Sequence, residues 1–290
     1  MSSLISSSFA YLLGMRGKTL AALALSTAVL LAVILLVKPV TDSPEAVPHP
    51  ISVPLVMQYY DLTYNPSLKL FAETPYSNTY YVESDNLLAV IALKYLNDTL
   101  WEEVWNNIRV NLTLSPYLVL LGVHNFTWEF RTPSNDQVWK DIYITNFTNS
   151  SHPFLAWYEY ADTSFLYSIY ELENGNITLA EDAFSATVND FWDGYGFRDE
   201  AFNGYYSSYK LALAVIAWKY ILKYNETFAM QFYPVIEKIY QISSHLQSSS
   251  GGYFTCYEVV NGTIVPEGNV NTETTSLFVI AFLMPPYNIT

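Results

Sequence analysis

Four stretches of this 290-residue chain run from a polar or aromatic start into an apolar helix, and that repetition restricts the fold more than any other feature. They are residues 81–93 (YVESDNLLAVIAL), 160–170 (YADTSFLYSIY), 206–218 (YSSYKLALAVIAW) and 271–282 (NTETTSLFVIAF). Superposing the Val-Ile-Ala cores of the first, third and last sets Asp85 against Lys210 and Thr274. The second aligns by its start, with Asp162 opposite Asp85. Ser, Asp and Thr at such starts are natural N-caps, because their oxygens accept the orphan amide bonds of a first turn. The cores are apolar on nearly every side, as expected of helices enclosed within a larger array. Between them, residues 100–109, 179–192 and 226–246 place apolar side chains at three-to-four spacing and read as amphipathic helices. Pro234 should break the last, since proline lacks the amide and its ring clashes with the preceding turn.

Each amphipathic segment leads to a loop rich in glycine and aromatic residues, at Gly122, Gly194 and Gly251-Gly252. A buried helix, an amphipathic helix and a Gly-aromatic turn together resemble the (α/α) toroid of terpenoid cyclases, protein prenyltransferases, complement-like thioester domains and six-hairpin glycosidases. The likeness covers roughly residues 80–284 and belongs to the architecture rather than to one family. It implies inner helices around an axis, with their ends and connecting loops forming a mouth. Alternation in residues 114–147 predicts an inserted β-hairpin. The expected fold class is therefore mainly α: one N-terminal transmembrane helix, then an extracellular (α/α) hairpin array, a partial toroid carrying that β-hairpin.

The N-terminal part of this expectation rests on residues 19–37, nineteen positions without a charge. At roughly 1.5 Å rise per residue such a run just crosses a hydrocarbon core. Arg16 and Lys18 precede it and acidic residues follow, so residues 1–18 are read as cytoplasmic and the remainder as exported. A cleaved secretory signal is the alternative, although its apolar core is usually shorter. Arg16-Gly17 ahead of the run also resembles archaeal type IV prepilin-like leaders, cut after the glycine. Prolines 44, 48, 50 and 54 make residues 38–54 an extended spacer, leaving 55–290 as the extracellular domain.

Nine Asn-x-Ser/Thr triplets lie beyond the apolar run, at Asn97, Asn111, Asn125, Asn146, Asn149, Asn176, Asn225, Asn261 and Asn288. They argue for a glycosylated exterior at the cell membrane. Few cysteines, many such triplets and abundant Tyr, Asn and Thr resemble surface proteins of thermoacidophilic archaea. A formal charge of −14 repels phosphate backbones and speaks against a nucleic-acid partner, leaving a glycan or surface-layer partner. The single cysteine, Cys256, excludes an internal disulfide framework, and no spacing of His, Cys, Asp or Glu suggests a metal or cofactor site.

Chemistry is sought at the starts of the apolar helices. Glu83, Asp85, Asp162 and Glu273 lie there, with Glu159, Asp199 and Glu200 close by. If the helices point one way, these acids converge on one rim. A proton donor and an ionised carboxylate are what glycoside hydrolysis requires. Tyr81, Trp128, Trp157, Tyr158, Tyr205 and Tyr206 could stack on sugar rings. The plainer explanation is that each acid only caps its own helix. Two functions follow: a surface module that binds a glycan or cell-surface partner, or a carbohydrate-active hydrolase or lyase using a carboxylate pair.

Overall fold

The computed structural model describes residues 50–108, 116–122, 129–153 and 156–285, which belong to the compact unit Val47–Thr290. Helix α1 (Val53–Thr63) opens it, with Pro54 in the first turn, where a missing amide costs nothing. A two-residue pair, β1 (Tyr64–Asn65) and β2 (Leu70–Phe71), and β3 (Tyr80–Val82) lead into α2 (Glu83–Tyr95) and the short α3 (Leu100–Trp105). A 3-10 turn (Pro116–Leu121), the hairpin β4 (Glu129–Trp139) and β5 (Ile142–Pro153), and a second 3-10 turn (Trp157–Glu159) follow. Next come α4 (Ala161–Glu173), α5 (Ile177–Phe191), β6 (Tyr206–Ser207) and α6 (Ser208–Tyr224). Then α7 (Glu226–Met230), α8 (Tyr233–Ser243), the hairpin β7 (Phe254–Val260) and β8 (Thr263–Val270), and α9 (Thr272–Leu283) complete the described chain.

The four apolar segments are the inner helices α2, α4, α6 and α9. Helix α9 packs between α2 and α6, α6 packs on α4, and the Pro116–Leu121 turn fills the space between α4 and α2. Residues 83–93 of α2 are all buried, as are 272 and 274–281 of α9, which accounts for their lack of a polar stripe. Each buried Leu, Ile or Phe in these helices contributes about 1.5–3 kcal/mol relative to exposure. The amphipathic helices α3, α5 and α8 lie outside them and bury one face each. The break expected at Pro234 is present: α7 ends at Met230 and α8 starts at Tyr233 with the proline in its first turn.

The expected fold class needs correction. The described residues are a mixture of helices and sheets, not a mainly α hairpin array. Sheet β3-β5-β4 joins β3 in parallel to the predicted hairpin, and sheet β6-β7-β8 was not anticipated. Strands of two or three residues before α2 and α6 are too short to register as alternation, so only their helices were legible. No described helix is long and apolar enough to cross a membrane; residues 19–37, on which the transmembrane reading rested, lie outside the described residues. Residues 50–54, inside the span read as a spacer, are docked on the domain. Ser52 exchanges backbone bonds with the Gln247 side chain, and the Tyr253 hydroxyl donates to the Pro50 carbonyl.

Glycine is required where this docking is tightest. Gly251 has φ +94°, and a Cβ there would lie 1.7 Å from the Leu55 carbonyl oxygen. At Gly252 a Cβ would overlap the Tyr59 ring at 2.5 Å. The Gly-Gly-Tyr-Phe turn is thus the seat of α1.

Candidate carboxyl site at the inner helix starts

The starts of the inner helices do come together, and backbone bonds fix how. Asn86, in the first turn of α2, hydrogen-bonds both backbone groups of Phe71, holding the chain after β2 against that helix. Glu73 is then pinned on both sides: its amide donates to the Tyr80 carbonyl and its carbonyl accepts the Thr272 amide at the start of α9. On the opposite side, Asp199 reaches from the loop after α5 to accept the Ala161 amide at 2.8 Å, capping α4 from outside that helix.

The acids picked from sequence are not primarily caps. Helix α2 begins without a side-chain cap, and among the described residues Asp85 accepts a hydrogen bond from the Ser84 hydroxyl, long at 3.4 Å. Asn271, not Glu273, caps α9 by accepting the Thr274 amide. Glu273 instead accepts the Tyr117 hydroxyl at 2.6 Å, across from the Pro116–Leu121 turn. Asp162 does accept the Thr163 amide of its own helix, and it also accepts the Tyr209 hydroxyl at 3.2 Å. Its other oxygen is buried with no hydrogen-bond partner among the described residues. Glu83 is buried in the first turn of α2, ahead of Asp85.

Electrostatics link these groups. Burial raises the Asp85 carboxyl well above its ordinary range, and the charges of Glu273 and Glu73 raise it further. Burial likewise raises Glu273; the Tyr117 hydroxyl offsets part of this, and Asp162 and Glu73 add to it. Burial raises Asp162, against the opposing pull of the Lys210 cation. The hydroxyls of Tyr117 and Tyr209 are held protonated, first by burial and then by Glu273 and Asp162 respectively. The Asp85 anion is thus disfavoured both by burial and by the neighbouring Glu273 charge. Lys210 and Asp199 form a separate closed unit, paired at 2.5 Å and almost fully enclosed.

Glu73, Tyr117 and Tyr209 were missed by sequence reasoning. Tyr209 adjoins Lys210 in the third repeat and could have been noted; nothing local marks Glu73 or Tyr117. The aromatic candidates divide. Tyr158 and Tyr205, just ahead of α4 and α6, are 60% and 47% exposed. Trp157 is half-buried, its ring 4.0 Å from that of Tyr167. Tyr81 and Tyr206 are buried, so neither ring is open for stacking, and Tyr206 spends its hydroxyl on Asp193 and packs flat on Tyr257. Trp128 lies outside the described residues.

Glycosylation candidates also differ. Asn97 and Asn261 are exposed at positive φ, and Asn176 is exposed with its amide on Glu171. Asn225 is half-buried and caps α7 while donating to Glu181. Asn146 and Asn149 lie in β5, and Asn111, Asn125 and Asn288 fall outside the described residues. No group of three or more His, Cys, Asp or Glu among the described residues is placed to hold a metal ion. Cys256 is a free, half-buried cysteine on β7. No family model matches the chain, and no curated protein or solved structure matches it.

The arrangement can do two things chemically. A neutral carboxyl beside an ionised one can donate a proton while its partner accepts one, the division of labour that glycoside cleavage uses. The tyrosine hydroxyls can orient an oxygen-rich ligand over the half-buried Asp162 and Glu273.

Proposed function

We propose that this chain is an exported glycoprotein that engages glycans at the shared start of its inner helices, where its carboxyls perform acid–base cleavage by hydrolysis or elimination. The observation that carries this reading is that Glu273 acts on the buried Asp85 and Asp162 on Glu273, while Asn271 rather than Glu273 caps α9 and α2 has no side-chain cap at all. Carboxyls confined to capping would face amides, not one another. Asp85 and Glu273 are the acid–base pair, with Tyr117 and Tyr209 as hydroxyl donors to Glu273 and Asp162.

The exposed rings of Tyr158 and Tyr205 favour a second reading, a surface module that binds a glycan or surface-layer partner without turnover, since stacking on sugars needs no proton transfer. Glycan-array binding followed by analysis of released product separates the two. Turnover lost in Asp85→Asn with Glu273→Gln supports the enzyme. Binding that survives the double variant, with no product from the parent protein, supports the module. Neither binding nor product removes both. Export itself is tested by mass spectrometry of the native chain: Asn97 and Asn261 should carry glycan at higher occupancy than the engaged Asn225, and a wholly unmodified chain would contradict the exported setting.

A further inference from the structure

The cleft beside the β1–β2 turn has no part in the carboxyl site. Its volume is about 280 Å³, just below the roughly 300–1,000 Å³ typical of small-molecule sites. We propose that it binds one uncharged sugar ring, as a site separate from the acids.

Three observations support this. First, among the described residues no Asp, Glu, Lys, Arg or His lines the cleft; Thr74, Ser77, Asn78 and Asn65 supply hydroxyls and amides, and Pro75 a flat apolar face. Such a lining offers nothing to neutralise an ion and much to a ring of hydroxyls. Second, its wall is braced: the Tyr81 hydroxyl, on a fully buried side chain, accepts the Asn65 amide at 2.9 Å and so holds Asn65 in place at the cleft. Third, the exposed Asn78 amide makes no hydrogen bond to the described residues and stands ready at the rim.

The cleft and the carboxyl site share a wall. Ala72 and Thr74 line the cleft, while Glu73 between them acts on Asp85 and Glu273. A sugar in the cleft would therefore sit behind the segment that carries Glu73. The proposal stands whether or not the carboxyls are catalytic.

The test is saturation-transfer NMR on the full chain with glucose, galactose and mannose, and with glucuronate and glucosamine as charged counterparts. At least one neutral hexose should give a saturable signal. Ser77→Trp, which fills the cleft from an exposed position, should abolish it, and Asn78→Ala should weaken affinity about fivefold, the loss of one hydrogen bond. Circular dichroism checks that both variants fold; should Ser77→Trp not, the Asn78→Ala titration decides alone. The proposal is overturned if no neutral hexose saturates, if only the charged sugars do, or if Asn78→Ala binds as the parent does. A signal that survives Ser77→Trp but disappears in Asp85→Asn with Glu273→Gln belongs to the carboxyl site and also overturns it.

Discussion

Asp85 and Lys210 occupy the same place in two copies of the repeat, three residues into an inner helix, yet their surroundings differ in kind. At the start of α6 the charge is closed: Lys210 meets Asp199 at 2.5 Å, and the same Asp199 oxygen accepts the Ala161 amide of α4. At α2 and α9 the carboxyls meet other carboxyls: Glu273 and Glu73 act on Asp85, and Asp162 and Glu73 act on Glu273. A single helical scaffold thus carries one corner built for stability and one whose electrostatics work against it. Groups held at such a cost are where function is sought.

Glycan turnover, if present, gives the largest contrast. Glu273→Gln should lower it by about 10²–10⁴-fold, the usual range for a lost acid or base, while Lys210→Met with Asp199→Ala should do far less; equal losses in the two would erase the distinction between corners. For the closed corner, urea unfolding of Asp199→Ala should show a loss of about 3–5 kcal/mol, because Lys210 is left buried and unpaired. Adding Lys210→Met should restore much of it, and a double variant no better than the single would mean that the Ala161 cap, not the ion pair, dominates. Tyr117→Phe should cost about 1.5 kcal/mol, the low end for a hydrogen bond to a charged group, because Glu273 is only half-buried.

The smallest effect is the most diagnostic in sign. Asp85 binds its proton more tightly folded than unfolded, so stability is full below its ordinary value of 3.8 and is lost as pH rises toward the raised native value. Asp85→Asn should flatten that decline and leave the protein more stable than the parent at neutral pH, measured as the thermal midpoint across pH. A variant less stable than the parent at neutral pH would mean that the Asp85 carboxylate is stabilised by something beyond the groups named.

Much of this was readable in the chain. The enclosed helices follow from apolar residues on every side, and the Pro234 break from ring geometry. The convergence of the helix starts was conditional on helix direction, on which the repeat is silent; it rests on tertiary bonds such as Tyr209 to Asp162 and Thr272 to Glu73. The capping assignment failed for Asp85 and Glu273 but not for Asp162, which accepts the Thr163 amide; Asn271 caps α9 locally, whereas the Asp199 cap on α4 comes from a separate loop and depends on tertiary position. The β7–β8 hairpin was overlooked although Asn261-Gly262, both at positive φ, is a strong turn signal between alternating flanks. The partners of Glu273 are beyond any local reading, since Tyr117 lies 156 residues away.

The seating of α1 has a consequence for how the chain is made. Its tyrosines 59 and 60 meet Thr272 and Ser276 across 213 and 216 positions. The first described helix therefore waits for the last before it can be sealed. During synthesis its greasy face stays uncovered until almost the whole domain has emerged, and such distant closure is slow. Truncation even a few residues into α9 would strip the opening helix of its partner, so the two ends of the domain stand or fall together.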